Sequence, residues 1–435
     1  MKEYFDPKIE TAPLEKLRNI QFKKLKTVLE IAYRSNPFYQ RKFKEHNITP
    51  DDTHSLDDIR KLPFTYKEEL QKDQEENPPF GTNLSEPLEN YVRYHQTTGT
   101  TGRPLKWLDT KESWRWRGRC AAMALWAAGV RPFDIVFFPF AFGPHVAFWG
   151  LFEGALQIGA LVIPGGGWDT QQRLLSILEN RVTVVCCTPS YALRMAEVAK
   201  ENGINLRDSS VRILVHAGEP GALIPSIRKK IEEAWGAVPY DYPGLTEVGA
   251  YGIHCKYQTN AIHVNESEFI IEVINPDSGE PVPEGEQGEM VLTNLGRACS
   301  PAIRFRTRDL VRLKKDICPC GRTFKMLDGG VLGRVDEMIT IRGINIFPSK
   351  VGEIVERHLV IGEEYQMVAY REKGLDEFKV VIELAKGRDS ERVIKSIQED
   401  LRKHFEIRFQ VEAVPRGTLS RSDCKSKRFI DKRQK

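Results

Sequence analysis

Apolar and polar positions follow three successive patterns along the chain. Residues 14–46 carry apolar side chains at helical spacing, with a break at Asn36-Pro37, and this spacing predicts a helical N-terminal segment. Short apolar runs then alternate with helical stretches, as at residues 134–140 (DIVFFPF) and 211–218 (VRILVHAG). Short apolar strands between helices are typical of a mainly parallel sheet that is covered on both faces.

The pattern changes twice more towards the C-terminus. After about Tyr251, strand-like runs are separated by Pro-Asp-Ser-Gly and Pro-Glu-Gly turns, which predicts a β-rich module. Beyond about Glu337, an alternating run at 379–386 and an amphipathic helix at 390–405 predict a small α+β domain, followed by a basic tail without a pattern. The predicted fold class is therefore α/β, with a large N-terminal α/β domain that contains parallel sheets and the β-rich module, and a small C-terminal α+β domain.

Composition excludes several classes of partner. The chain has 435 residues, and 64 basic against 60 acidic side chains leave a net charge of only +4, which gives no reason to expect nucleic acid or an anionic membrane as a partner. The uncharged segment 135–152 is interrupted by prolines, glycines and His145, which favours a strand, a loop and a helix start over a membrane span. We expect no secretory signal in MKEYFDPKIETAP, and the eight unevenly spaced cysteines favour a reducing, cytoplasmic location.

One loop is rich in threonine and glycine. The stretch YHQTTGTTGRPLKW spans residues 94–107, and its small residues let backbone amides approach a ligand closely while the hydroxyls add donors. Phosphate oxygens favour such a surface, especially with Arg103 and Lys106 nearby. No lysine follows the second glycine, so this is not the common P-loop pattern. Taken alone, the stretch fits a phosphate-binding loop or a plain polar turn.

Four further segments follow this loop in a fixed order. They are DYPGLTEVG (241–249), RFRTRDL (304–310), GRVDEMITIRGINIFP (333–348) and LSRSDCKSKRFID (419–431). Together with the loop, they resemble the adenylate-forming acyl-CoA synthetase superfamily. The closer resemblance is to its phenylacetate–CoA ligase-like branch, and it extends over essentially the whole chain.

The resemblance implies a reaction in two steps. ATP and a carboxylate give an acyl-adenylate and pyrophosphate, and the thiol of coenzyme A then displaces AMP. Carboxylate and α-phosphate are both anionic, so their approach requires positive charge and Mg²⁺. The resemblance also implies a mobile C-terminal domain at 337–435 that rotates about a hinge at Asp336, with the N-terminal domain at 1–335 and the β-rich module at about 251–330.

The matching positions imply individual roles. Lys425 is expected to bridge the carboxylate and the α-phosphate, Glu247 to bind Mg²⁺ with help from Thr246, and Asp309 to accept hydrogen bonds from the ribose, with Arg334 as a nearby donor. The β- and γ-phosphates are expected at Thr97, Thr98, Gly99, Thr100, Thr101 and Gly102. The remaining nucleotide contacts are expected at Gly218, Glu219, Pro220, Asp241, Tyr242, Pro243 and Gly244.

The motifs depart from the usual family pattern at four positions. Pro243 stands where the family usually has an aromatic residue that stacks on adenine, so the alternatives are weaker stacking on the nucleotide or stacking by Tyr242. Arg308 and Cys424 replace common glycines, and Glu337 replaces a common aspartate. None of these changes removes a charge that the mechanism needs.

Three cysteines and a histidine form a candidate metal site. Cys255, His263, Cys318 and Cys320 have spacings that fit a tetrahedral Zn²⁺ site, with His254 as an alternative imidazole. Taken alone, the same cysteines also fit a role as small apolar core residues. The phenylacetate ligase-like branch carries a similar set at this place, which implies a structural zinc that stabilises the β-rich module.

A cluster of aromatic residues is the candidate acyl pocket. Phe140, Phe142, His145 and Trp149 lie in a segment that resembles the acyl-binding segment of the family and would suit an aryl acid, although clustered aromatics also fit a core. The expected protein is an ATP-, Mg²⁺- and coenzyme A-dependent aryl- or arylacetyl-CoA ligase, as a monomer or homodimer. The alternatives are transfer of the acyl group to an amine, hydroxyl or other acceptor, and a non-catalytic nucleotide-binding relative.

Overall fold

The structure is a computed structural model that describes residues 3–97, 103–341, 344–372, 375–420 and 428–433. The helices are α1 (Pro7–Glu10), α2 (Leu14–Ser35), α3 (Pro37–Glu45), α4 (Lys67–Glu76), α5 (Lys111–Ala127), α6 (Ala147–Ile158), α7 (Thr170–Glu179), α8 (Pro189–Glu201), α9 (Pro225–Trp235), α10 (Pro348–Glu356) and α11 (Ser390–Phe405). The strands are β1 (Tyr91–Gln96), β2 (Lys106–Thr110), β3 (Ile135–Phe138), β4 (Leu161–Pro164), β5 (Val184–Cys187), β6 (Ile213–His216), β7 (Val238–Asp241), β8 (Gly252–Ile253), β9 (Ala261–Val264), β10 (Phe269–Ile274), β11 (Gln287–Asn294), β12 (Phe305–Lys314), β13 (Met326–Asp328), β14 (Gly333–Arg334), β15 (Ile339–Ile341), β16 (Ile344–Ile346), β17 (Glu364–Glu372), β18 (Leu375–Glu383), β19 (Gln410–Val414) and β20 (Phe429–Asp431).

The N-terminal helices follow the predicted pattern. The side chain of Asn36 accepts a hydrogen bond from the backbone N–H of Tyr39, and Pro37 occupies the first turn of α3, so the break between α2 and α3 is a helix cap. Gln21 Nε2 donates to the carbonyl of Phe269 at 3.0 Å, which fixes α2 against β10. No helix among the described residues combines the length and apolar character needed to cross a bilayer.

A five-stranded parallel sheet occupies the centre of the N-terminal part, in the order β4-β3-β5-β6-β7. Its side chains alternate between two cores: Val184 and Cys186 belong to one, and Val185 and Cys187 belong to the other. This alternation confirms the prediction of a parallel sheet covered on both faces. The carboxyl ends of β5, β6 and β7 lie side by side, where open α/β sheets usually bind ligands.

The β-rich module is an antiparallel seven-stranded sheet. Its strands run in the order β10-β11-β12-β13-β9-β8, and β14 also pairs with β12. The short β14 places Arg334 directly opposite Asp309 of β12 in an antiparallel register. Two residues that are distant in sequence are thereby brought together.

The C-terminal part forms its own layer of helices on a four-stranded sheet in the order β19-β18-β17-β20. The prediction that the chain ends without a pattern is wrong at residues 429–431, which form β20 parallel to β17. The partly buried ring of Phe429 stacks on the buried ring of Phe378 with centroids 6.1 Å apart, and this aromatic contact helps to stabilise the strand.

Candidate active site and metal cluster

The antiparallel strands β1 and β2 flank the threonine–glycine loop in sequence. Its base is closed by two hydrogen bonds, from the Thr97 N–H to the Leu105 carbonyl at 3.0 Å and from the Leu105 N–H to Thr97 Oγ1 at 2.9 Å. Lys106 Nζ donates to the carbonyl of Pro79 at 2.9 Å, so its ammonium is held beside the loop base. The remaining predicted phosphate ligands lie outside the described residues: Thr98, Gly99, Thr100, Thr101 and Gly102.

The loop after β6 is fixed by two carboxylates, the buried Asp241 and the half-buried Glu219. Asp241 accepts hydrogen bonds from the backbone N–H groups of Ala222 at 2.8 Å and Leu223 at 2.9 Å, and Glu219 accepts one from the N–H of Ser190 at 2.9 Å. Burial raises the pKa of Asp241 to about 6, although these hydrogen bonds oppose the shift. Asp241 therefore shapes the loop that carries Gly218, Glu219 and Pro220, and its predicted nucleotide contact stays a prediction.

The segment after β7 packs against its neighbours. Tyr242 is 6% exposed, and its hydroxyl lies 3.5 Å from the place where a Cβ of Gly150 would stand. Pro243 packs on Gly252, since a Cβ there would lie 2.1 Å from Pro243 Cγ. The hydroxyl of Tyr242 thus points towards α6, and stacking of its ring on adenine stays a prediction.

Glu247 lies in a turn whose backbone is held by two arginines. Its side chain is buried, with Oε1 3.3 Å from Lys67 Nζ. The carbonyl of Thr246 accepts hydrogen bonds from Arg117 Nη2 at 3.0 Å and from Arg297 Nη1 at 2.8 Å. Sequence reasoning missed Lys67, Arg117 and Arg297, because none of them stands in a recognisable motif.

Asp309 and Arg334 form a partly buried ion pair. Arg334 Nη1 lies 2.9 Å from Asp309 Oδ1, and the rest of its guanidinium pairs with Asp336 at 2.9 and 2.8 Å. Burial raises the pKa of Asp309 to about 6. The charge of Arg334 lowers this pKa, whereas the charges of Asp336 and Glu247 raise it further. The charges of Glu247 and Asp309 therefore interact, and Arg334 joins Asp309 to Asp336, the predicted hinge residue.

Three of the four predicted acyl-pocket residues come together. The ring centroids of Phe140 and Phe142 lie 5.5 Å apart, and those of Phe142 and Trp149 lie 4.8 Å apart. Trp149 Nε1 donates to the carbonyl of Gly143 at 2.9 Å, which fixes the indole. His145 is exposed, with Nδ1 3.3 Å from the carbonyl of Gln96, so it lies beside β1 and apart from the aromatic cluster.

The C-terminal part contacts the helices that follow the parallel strands. Lys230 of α9 pairs with Glu356 of α10 at 2.6 Å, and Arg428 pairs with the same carboxylate at 2.7 Å. Arg416 pairs with Glu197 of α8 at 2.6 Å. Lys425 lies outside the described residues, and its catalytic role stays a prediction.

The candidate metal ligands form a compact buried cluster. The ligand atoms of Cys255, His263, Cys318 and Cys320 all lie within 4.8 Å of one another. Cys255 Sγ lies 3.6 Å from Cys318 Sγ, and His263 Nε2 lies 3.4 Å from Cys320 Sγ. A tetrahedral zinc site with ordinary bond lengths has ligand–ligand distances of about 3.5–3.8 Å. The donor set and its geometry therefore fit Zn²⁺.

The surroundings of this cluster select one imidazole. His263 Nδ1 lies 3.2 Å from the carbonyl of Phe324, which orients the ring as is common for histidine ligands of metals. His254 is engaged elsewhere, since its Nδ1 accepts from the Asp241 N–H at 3.0 Å and its Nε2 lies 2.7 Å from the Gln258 carbonyl. Hydrogen bonds from Cys255 and His263 hold the pKa of the Cys320 thiol well below its usual range, which favours a thiolate.

Known proteins match the chain along its whole length. The AMP-binding enzyme family matches residues 50–296, and the AMP-binding enzyme C-terminal domain matches residues 343–433. Phenylacetate-coenzyme A ligase of Thermus thermophilus is 32% identical over 99% of this chain and 100% of its own length. Phenylacetate-coenzyme A ligase of Escherichia coli is 33% identical over 98% of this chain and 97% of its own.

Solved structures of a 2-hydroxyisobutyryl-CoA ligase are also similar. The postadenylation state in complex with 2-HIB-AMP is 30% identical and superposes with a TM-score of 0.93, covering 99% of this chain and 93% of the other. The thioesterification state of that protein gives a TM-score of 0.75 at 100% and 93% coverage. The matches in sequence and in structure agree on one conclusion: the chain belongs to the AMP-binding enzyme family and is an AMP-forming acid–CoA ligase that works through an acyl-adenylate.

Proposed function

We propose that this enzyme joins an arylacetic or related aryl acid to coenzyme A. The observation that carries the proposal is the aromatic cluster of Phe140, Phe142 and Trp149, which lies in the segment expected to bind the acyl group. Flat apolar side chains at 4.8–5.5 Å suit an aromatic ring, which buries a large area and prefers edge contacts. Relatives named as phenylacetate-coenzyme A ligases over nearly the full chain support the same class.

In the first half-reaction, a carboxylate oxygen attacks the α-phosphate of ATP, and the bond to pyrophosphate breaks. The residues Thr97 to Gly102 hold the β- and γ-phosphates, and Lys425 offsets the negative charge that builds up as the new bond forms. Asp309 accepts from the ribose hydroxyls and is mainly ionised at neutral pH, given its pKa of about 6. Mg²⁺ would be held at Glu247, a buried carboxylate, and would neutralise phosphate charge.

In the second half-reaction, the sulfur of coenzyme A attacks the acyl carbonyl, AMP leaves, and the thiol proton passes to solvent. We place the boundary between a 1–335 domain and a mobile 337–435 domain at Asp336. The TM-score is 0.93 against the postadenylation state of the 2-hydroxyisobutyryl-CoA ligase and 0.75 against its thioesterification state. Such a difference supports two domains, because it is expected when one domain rotates relative to the other between the two states. The present arrangement is more similar to the postadenylation state of that relative than to its thioesterification state.

We also propose that Cys255, His263, Cys318 and Cys320 hold one structural zinc. Four protein ligands leave no open position for chemistry, so the metal would join the segment after β8 and strand β9 to the 318–320 turn. We place the enzyme in the cytoplasm, and a monomeric or homodimeric state remains a prediction.

A substrate panel tests the proposed class. Purified protein is incubated with ATP, Mg²⁺ and phenylacetate, benzoate or 2-hydroxyisobutyrate, with and without coenzyme A, and pyrophosphate and thioester are measured. We expect pyrophosphate and thioester with an aryl acid. Preference for 2-hydroxyisobutyrate would make this a small hydroxy-acid ligase, the second candidate that the solved neighbours suggest. Pyrophosphate without thioester would point to another acceptor, and no pyrophosphate with any acid would overturn the proposal.

A further inference from the structure

A buried ion pair contacts the turn that carries Glu247, the expected Mg²⁺ ligand. Arg297 and Asp109 are both 0% exposed and meet in a two-point contact, Nε to Oδ1 at 2.7 Å and Nη2 to Oδ2 at 2.6 Å. We propose that Arg297 is a positioning residue that fixes Glu247 relative to the β1–β2 hairpin, whose strands flank the expected phosphate loop in sequence. This inference rests on the proposed role of Glu247 in binding Mg²⁺ during adenylation.

The guanidinium holds the turn by its backbone. Arg297 Nη1, the nitrogen not used by Asp109, donates to the carbonyls of Thr246 at 2.8 Å and Glu247 at 3.2 Å. Arg117 Nη2 adds a second donor to the Thr246 carbonyl at 3.0 Å. Because a planar guanidinium presents its donors in a rigid fork, the position of the Glu247 backbone is defined by that of Asp109.

Asp109 in turn belongs to the hairpin that carries the phosphate loop. It lies on β2, which begins at Lys106 directly after the loop and pairs with β1 before it. The ring of Trp107, on the same strand, lies 5.1 Å from the Arg297 guanidinium. Arg297 therefore connects two groups that must hold one nucleotide: the loop for the terminal phosphates and the carboxylate for their metal ion.

The electrostatics of the cluster favour a positioning role. Burial would raise the pKa of Asp109, but the charges of Arg297 and Arg117 outweigh it and lower the pKa. Burial and the like charge of Arg297 lower the pKa of Arg117 to about 10. Buried ion pairs add little net stability, because desolvation offsets much of their attraction. A pair of arginines at one turn is therefore better explained by the carbonyls that they orient.

The chain contains a matched control for this arrangement. Arg304 contacts Glu272 at two points, 3.0 and 2.7 Å, and its Nη1 donates to the carbonyls of Arg60 at 2.9 Å and Leu62 at 2.7 Å. Its guanidinium also lies 4.0 Å from an aromatic ring, that of Phe64. Arg304 thus reproduces the contacts of Arg297 without touching the Glu247 turn.

The test compares Arg297→Lys with Arg304→Lys in the full-length enzyme. Lysine keeps the charge and loses the fork, so Arg297→Lys should lower kcat/KM for MgATP in acid-dependent ATP–pyrophosphate exchange by roughly 10- to 100-fold, as expected for a misplaced binding group. Thioester formation from supplied acyl-adenylate and coenzyme A should be unchanged, because that half uses neither terminal phosphates nor their metal. The increase in Tm caused by MgATP should also shrink. Arg304→Lys should change none of these.

The outcomes separate the inference from the proposed function. If the wild type shows no exchange with any acid, the proposed function fails on its own. If it exchanges but Arg297→Lys loses both half-reactions equally, or loses no more than Arg304→Lys, the positioning role is wrong. Should Arg297→Lys not fold, Asp109→Asn, which keeps the side-chain shape, is judged by the same three measurements.

Discussion

At the scale of single residues, Asp309 shows how burial sets a working pH. Burial raises its pKa from 3.8 to about 6, so the carboxylate loses its charge as the pH falls through that value. A group whose folded pKa is raised binds a proton more tightly in the folded chain, so its contribution to stability declines as the pH rises from about 4 to about 6. Asp241, with a pKa of about 6, acts in the same direction.

The first prediction concerns nucleotide binding by Asp309. The apparent KM for ATP should rise as the pH falls below about 6, because a protonated carboxyl loses acceptor capacity for the ribose. Asp309→Asn should raise that KM about tenfold or more at pH 7.5, as expected for loss of a hydrogen bond to a charged group. The KM of the variant should depend less on pH than that of the wild type. Protonation of ATP itself affects both proteins equally and therefore cancels in this comparison. Equal pH profiles in both proteins would assign the dependence to another group.

Some residues of the candidate site could be identified from the sequence, and others could not. Glu247 and Asp309 stand in ordered motifs, and the structure brings them close together. Arg297 acts on backbone carbonyls 50 and 51 positions away, and no side-chain pattern marks such a contact. Arg117 lies buried on α5 between the exposed Arg115 and Arg119, so nothing in the sequence distinguishes it from its neighbours.

At the scale of elements, the cysteine cluster connects β9 to the turn at 318–320. The second prediction is that purified protein contains one zinc per chain and that Cys318→Ser loses it together with several degrees of Tm, since metal binding adds to folding stability. Cys299→Ser is the control, because Cys299 is buried in the same module but lies outside the cluster. Protein prepared without chelators that holds no metal would contradict the site.

The elements themselves were predictable where the chain repeats a pattern. The apolar runs around β3 and β6 gave the parallel sheet, because strands buried on both faces need continuous apolar sequence. The strand β20 was not predictable, because its three residues are flanked by basic positions and are too few to show a period. Its stability comes from the Phe429–Phe378 contact, which only the tertiary structure creates.

At the scale of the whole molecule, an ion-pair cluster joins the C-terminal part to α9 of the N-terminal part. Glu356 is 4% exposed and accepts from both Lys230 and Arg428, at 2.6 and 2.7 Å. Lys230 lies in the N-terminal part, so rotation about Asp336 would break its contact. The order of motifs predicted two parts with a boundary near Asp336, but the charges that join them could not be paired from sequence.

The third prediction concerns this ion-pair cluster. Lys230→Met should lower the free energy of unfolding by about 1–3 kcal/mol, because it removes a charge-assisted hydrogen bond from a buried carboxylate. Lys229→Met is a matched control, since its ammonium pairs at 3.7 Å with Glu233 and both side chains are exposed; exposed pairs contribute about 1 kcal/mol or less. Urea unfolding measures both. Equal losses would show that Lys230 makes no special contribution.

The order in which the enzyme forms its products tests the two-step reaction directly. Enzyme, ATP, Mg²⁺ and phenylacetate are mixed without coenzyme A, and products are followed by mass spectrometry before and after coenzyme A is added. We expect pyrophosphate and an enzyme-bound acyl-adenylate first, then thioester and AMP, with Lys425→Ala blocked at the first step only. Release of ADP and phosphate, or thioester without a preceding acyl-adenylate, would contradict it.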